Sequence, residues 1–193
     1  MADALVIVDV QNDFCPGGSL AVADGDAVVP VCNEYLRRAR EAGMPIFASR
    51  DWHPANTRHF TTNGGPWPPH CIQGTSGAAF HPDLRIPAEA MVVSKGTGVE
   101  DDGYSMIDAQ APDGRPLVEV LRDGGISRIH VGGLATDYCV RATVLDALKA
   151  GLEVAVLTDA CRAVNLQPDD GRKALDEMAA AGATFETLET FPR

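Results

Sequence analysis

The sequence contains no apolar run long enough to cross a bilayer, no stripe rich in lysine or arginine and no C-x-x-C pair, and each absence removes a class of function. A membrane-spanning helix needs about 20 consecutive apolar residues. Residues 1–5 lack a basic leader region before the first short apolar run, so neither a signal peptide nor a span is expected, and a cytoplasmic location follows as the expectation. Lysine and arginine number 16 against 27 aspartates and glutamates, for a formal net charge of -11. That balance repels phosphate backbones and anionic membranes, so neither nucleic acid nor membrane is expected as a partner. A small neutral or cationic ligand suits the surface better. The five cysteines (Cys15, Cys32, Cys71, Cys139, Cys161) are odd in number and scattered, which predicts free thiols rather than a disulfide framework. Gly132-Gly133 is not followed by the G-x-G-x-x-G spacing that a dinucleotide requires. Internal repeats and low-complexity linkers are also missing. With 193 residues, the chain is expected to form one domain over 1–193, as a monomer or a homo-oligomer.

What the chain does contain is an alternation. Short apolar runs at 4–8, 45–49, 91–94, 128–132 and 153–157 are separated by helical patterns at 26–42, 117–122, 137–150 and 168–181, each followed by a glycine. A sixth strand is expected at 184–188. This pattern predicts an α/β fold of parallel strands joined by crossover helices. The segment 56–82, rich in Gly, Pro, Thr and His, reads as a long ordered loop, a feature that is usually functional in a compact domain.

The stretch from His130 to Val140 reads as an apolar strand, a tight glycine turn and a helix opening on Cys139. Amides at a helix start carry partial positive charge, so they favour a thiolate and can hold the oxyanion of an acyl intermediate. In an open parallel sheet, ligands bind beyond the carboxyl ends of the strands. Asp9, Asp51, Lys95 and Cys139 all fall at such ends. A carboxylate inside Val6-Ile7-Val8-Asp9-Val10 needs a partner, and Lys95 is the obvious one. The pair can be structural, or Asp9 can act as general base to the Cys139 thiol with Lys95 balancing charge. Asp13 is a second candidate base, although its position in a turn suits it to binding loop amides.

Asp51, His53, His59 and His70 supply a carboxylate and three imidazoles within one strand end and its following loop. That donor set suits a divalent metal with open positions, compatible with Zn2+, Mn2+ or Fe2+. His81 and His130 lack such company, and His130 reads as a strand residue. Phe14, Trp67 and Tyr104, with Leu134, are the candidate walls for a flat aromatic substrate, although aromatics also serve as ordinary core.

In combination these segments resemble the nicotinamidase/pyrazinamidase branch of the isochorismatase-like cysteine hydrolases. The resemblance rests on the run from Ile7 to Leu20, Asp51-Trp52-His53-Pro54, Trp67-Pro68-Pro69-His70-Cys71, Ser94-Lys95-Gly96-Thr97, Tyr104-Ser105 and Ala135-Thr136-Asp137-Tyr138-Cys139-Val140-Arg141. It implies a three-layer α/β/α fold with a mainly parallel, doubly wound central sheet, and a triad of Asp9, Lys95 and Cys139. It further implies one divalent metal, Zn2+ first and Fe2+ or Mn2+ otherwise, on Asp51, His53 and His70. A cis peptide between Leu134 and Ala135 and an oxyanion hole from the Ala135 and Cys139 amides are also implied, as is hydrolysis of nicotinamide and pyrazinamide. Thr57 stands where many members carry a histidine. His59 instead matches the mycobacterial-type pyrazinamidases, which makes it the implied fourth protein ligand.

Overall fold

The computed structural model describes residues 2–191. Six parallel strands form one sheet: β1 (Ala2–Val8), β2 (Ile46–Asp51), β3 (Met91–Lys95), β4 (Ile126–Leu134), β5 (Glu153–Arg162) and β6 (Thr184–Glu186). Their spatial order is β3-β2-β1-β4-β5-β6. The order reverses between β1 and β4, which is where an open α/β sheet forms a crevice at the strand ends.

Alternate residues of β1 explain the layering, since successive side chains of a strand point to opposite faces. Leu5 and Ile7 join α1 (Val28–Glu41) in one buried apolar cluster that includes Val28, Cys32, Tyr35 and Leu36. Ala4, Val6 and Val8 face the other way, into a cluster with α2 (Leu117–Asp123), α3 (Arg141–Lys149) and α4 (Asp170–Ala180). Both faces of the sheet are therefore covered, giving three α/β/α layers with a sheet that is parallel throughout.

Close approach of β4 to β1 depends on Gly133. Its φ of +127° and its position would put any Cβ 2.0 Å from the carbonyl oxygen of Val8. The predicted strands are all present, with β5 running five residues past its apolar core to Arg162. The predicted helix at 137–150 begins differently. Residues Thr136–Val140 form a π-helical turn, and α3 starts only at Arg141. The Leu134–Ala135 peptide is cis. The loop between β2 and β3 carries a 3-10 turn at Thr61–Asn63 and bridges from His53 to Ile72 and from Phe60 to Trp67. All five cysteines are free and buried. Among the described residues no helix is long and apolar enough to cross a membrane.

Candidate active site

Asp9 follows β1 directly and adopts a left-handed backbone with φ of 48°. Ser49 of β2 holds it twice: the Asp9 amide donates to the Ser49 carbonyl at 3.1 Å, and the Ser49 hydroxyl donates to Asp9 Oδ1 at 2.8 Å. The other carboxylate oxygen faces Lys95 Nζ at 2.5 Å. Lys95, the last residue of β3, also donates to Asp51 Oδ1 and to the Gly103 carbonyl, and lies 3.4 Å from Cys139 Sγ. Three strand ends and the π-helical turn thus bring Asp9, Asp51, Lys95 and Cys139 into one buried cluster.

Burial pushes the Asp9 carboxyl up to about 6, with Asp51 adding to the rise while Lys95 and Ser49 oppose it. Burial works against the Lys95 ammonium too, but Asp51 and Asp9 outweigh it and keep the lysine protonated. At Cys139 burial opposes the thiolate that a helix start favours. Only 7% exposed, its thiol is pushed well above the ordinary value by burial, and Lys95 offsets that only in part. The resting pair is therefore a thiol beside a carboxylate, and the thiol needs a base to become a nucleophile.

Asp13 plays the local role its turn suggested. Its Oδ2 accepts from the Cys71 amide at 2.7 Å and its Oδ1 from the Ser19 amide at 3.2 Å. His81 accepts from the Asp83 amide at 3.2 Å, and buried His130 lies between Glu186 and Asp3, the latter near the start of β1, at the opposite end of that strand from Asp9.

The three loop histidines converge beside Asp51. One ligand atom each from His53, His59 and His70 lies within 4.8 Å of the others. Asp51 Oδ2 is 3.6 Å from His53 Nε2 and 3.9 Å from His70 Nε2. His53 Nδ1 meets the Gly96 carbonyl at 3.0 Å and His70 Nδ1 meets the Pro68 carbonyl at 2.8 Å. A carbonyl only accepts, so each Nδ1 carries the hydrogen and each Nε2 presents its lone pair inward. His53 Nε2 is fully buried with no hydrogen-bond partner. Burial lowers His59 to about 4 and also lowers His70, so both present lone pairs at neutral pH. Asp51 stays charged: burial works against it, but the Lys95 ammonium holds it far below the usual carboxylate range. An orphaned imidazole nitrogen, two neutral imidazoles and a carboxylate around one point match a divalent cation. Gly96 is what allows His53 to approach, because a Cβ there would sit 2.3 Å from its Cε1. Thr57, at the position of the missing histidine, accepts from the His59 amide at 3.2 Å and donates to the Val99 carbonyl at 3.1 Å, anchoring the His59 turn.

A small cavity lies between the cysteine and the histidines. Asp51, His59, His70, Ala135 and Cys139 reach it, and Phe14, Trp67 and Tyr104 are among its walls. Leu134 does not line it. Its side chain is fully buried in the apolar cluster on the α1 side, so it packs rather than contacts a ligand. Tyr138 is a wall that the sequence reading missed, together with Leu20, Val22 and Val164. Ser49 and Gln11 were missed as well. Gln11 donates to the Asp51 carbonyl at 2.8 Å and accepts from the Asp51 amide at 2.8 Å, clamping that residue's backbone. The available signal was a fully buried polar residue inside or next to an apolar strand.

A three-layer fold whose doubly wound sheet carries a buried thiol, carboxylate and ammonium at its switch point, next to an imidazole-rich pocket, has the architecture of the isochorismatase-like hydrolases. The Isochorismatase domain model matches residues 3–190, and the chain belongs to that family. It is 45% identical to the nicotinamidase of Escherichia coli (strain K12), over 96% of this chain and 94% of that protein. The pyrazinamidase of Pyrococcus horikoshii, solved in complex with zinc, superposes with a TM-score of 0.89 at 43% identity, covering 97% of this chain and all of that one. PnC1 from L. infantum, solved in complex with nicotinate, gives 0.85 at 35% identity, covering 97% and 93%.

Proposed function

We propose that this protein is a metal-dependent cysteine amidohydrolase that converts nicotinamide to nicotinate and ammonia, and pyrazinamide to pyrazinoate. The observation that carries the reading is the Cys139 thiol, set against Asp9 and Lys95 on one side and open to a ring-lined cavity on the other. His59 and His70 of the imidazole donor set reach the same cavity, and the relatives with the matching fold bear the names nicotinamidase and pyrazinamidase.

Asp9 takes the Cys139 proton as the sulfur attacks the carboxamide carbon, and the amides of Ala135 and Cys139 are assigned to the developing oxyanion. Collapse of the tetrahedral adduct passes that proton from Asp9 to the departing nitrogen, releasing ammonia and leaving a thioester on Cys139. Asp9, a carboxylate again, removes a proton from the incoming water, whose oxygen bonds to the acyl carbon and frees nicotinate. The proton returns to the sulfur. Lys95 keeps its charge throughout, offsetting Asp9 and Asp51 so that the base stays near neutrality in a site with little water. Asp51, His53, His59 and His70 would hold a divalent cation, Zn2+ first, which when bound supplies Lewis acidity toward a ring nitrogen or a water. Phe14, Trp67 and Tyr104 would sandwich the ring.

Hydroxylamine partitioning tests the covalent step. With nicotinamide and the zinc-loaded protein, nicotinohydroxamate should form at the expense of nicotinate, because a second nucleophile intercepts the thioester. Normal nicotinate production with no hydroxamate at any hydroxylamine concentration would refute the thioester.

A further inference from the structure

The cavity beside Cys139 encloses about 30 Å³. That is room for about two waters, far less than a pyridine ring requires, so a wall has to move before substrate enters. The walls differ in how firmly they are held. Phe14 and Trp67 are each 8% exposed, and the Trp67 indole N–H donates to the Tyr104 hydroxyl at 2.8 Å, tying those two together. Asp51, His59 and His70 are fixed in the donor set described above. Tyr138 is different. It is half-buried, and its described contacts to the other walls are ring contacts: edge-on to Trp67 at 4.8 Å between centroids, and nearly parallel to Tyr104 at 6.1 Å. Behind it lies a second, surface cavity of about 220 Å³, reached by Arg141, Asp170, Lys173 and Glu177. Arg141 and Glu177 in its lining are joined by a two-point ion pair, both contacts at 2.6 Å. Tyr138 lines both cavities.

We infer that Tyr138 is the specificity-determining partition of this site: its ring swings toward the outer cavity to admit substrate and, once seated, restricts the acyl group to a single ring. This rests on the amidase reading above and deepens it. A single pyridine ring fills the space in front of Tyr138 together with what its ring vacates on swinging outward, whereas a fused bicyclic carboxamide needs the outer cavity beyond it as well. Loss of the ring should therefore merge the two cavities and relax selection by size. Substituent selection of this kind in an apolar pocket is worth roughly 10- to 200-fold per methylene-scale change.

The test compares kcat/KM for quinoline-3-carboxamide and for nicotinamide in the zinc-loaded wild type, Tyr138→Ala and Tyr138→Phe. The ratio of quinoline amide to nicotinamide should rise about tenfold or more in Tyr138→Ala and stay put in Tyr138→Phe, which keeps the ring. An unchanged ratio in Tyr138→Ala, or an equal rise in Tyr138→Phe, would overturn the inference. Calorimetric binding of quinoline-3-carboxylate and nicotinate to the same three proteins reads the same ratio without turnover, so an inactive Tyr138→Ala still decides the matter. If the wild type releases no ammonia from nicotinamide, the proposed activity fails, and the acid-binding ratio reports separately on the partition.

Discussion

Replacing Ser49 with alanine should move the acid limb of the pH–rate profile upward. The Ser49 hydroxyl is a donor to Asp9 Oδ1 at 2.8 Å inside a fully buried cluster, where no water replaces it. A hydrogen bond to a charged group is worth about 1.5–3 kcal/mol, and one pKa unit corresponds to about 1.36 kcal/mol, so losing it should raise the Asp9 carboxyl by about one to two units. Starting from about 6, kcat/KM of the wild type should climb as Asp9 ionises through that pH. In Ser49→Ala the same climb should be centred between about 7 and 8, which lowers kcat/KM several-fold at pH 7 and leaves the high-pH plateau much closer to wild type. The assay is ammonia release from nicotinamide across pH 5 to 9 in both proteins. An acid limb that does not move, or a drop that is uniform at all pH values, would refute the assignment of Asp9 as the base held by Ser49. The stability consequence has a fixed sign. Asp9 binds its proton more tightly folded, at about 6, than unfolded, near 3.8, so its contribution is favourable below that window and is lost as pH rises through about 6.

Lys95→Met should abolish turnover and also destabilise the fold, since it leaves Asp9 and Asp51 buried without their shared counter-charge; about 3–5 kcal/mol is the scale for breaking such a pair. Urea unfolding should show the loss at pH 8 and a smaller one at pH 5, where Asp9 takes up a proton, and equal losses at both would contradict the charge argument. Gly96→Ala should weaken zinc binding about 10- to 100-fold by pushing His53 off its Gly96 carbonyl, and a competitive chelator titration measures it; undiminished affinity would remove His53 from the ligand set.

The strands and the crossover helices were legible because burial on both faces of a parallel sheet demands short β-branched runs, and the glycine stops marked where helices end. The polar residues at the strand ends were legible for the same reason: Asp9, Asp51 and Lys95 interrupt apolar runs at the edge where ligands bind. Side-chain direction was not. Leu134 lies next to the site in sequence but points into the α1-side core, while Tyr138, one residue before the cysteine, points into the cavity because the π-helical turn at Thr136–Val140 sets a different angular step from the α-helix that the pattern predicts. Ser49 and Gln11 escaped notice because their partners, the Asp9 carboxylate and the Asp51 backbone, are 40 residues away and meet them only through the register of β1 and β2. The thiol's protonation state was legible only in part. Position at a helix start suggested a thiolate, and the depth of burial, which only the packed structure reveals, reverses that.

Ammonia release from nicotinamide by the purified, reduced, zinc-loaded protein, measured beside Cys139→Ala at equal concentration, tests the central claim most directly. The account predicts steady turnover by the wild type and none by the variant, with the variant still folded by circular dichroism. Turnover that survives in Cys139→Ala would contradict the cysteine mechanism, and a wild type that releases no ammonia would contradict the proposed activity itself.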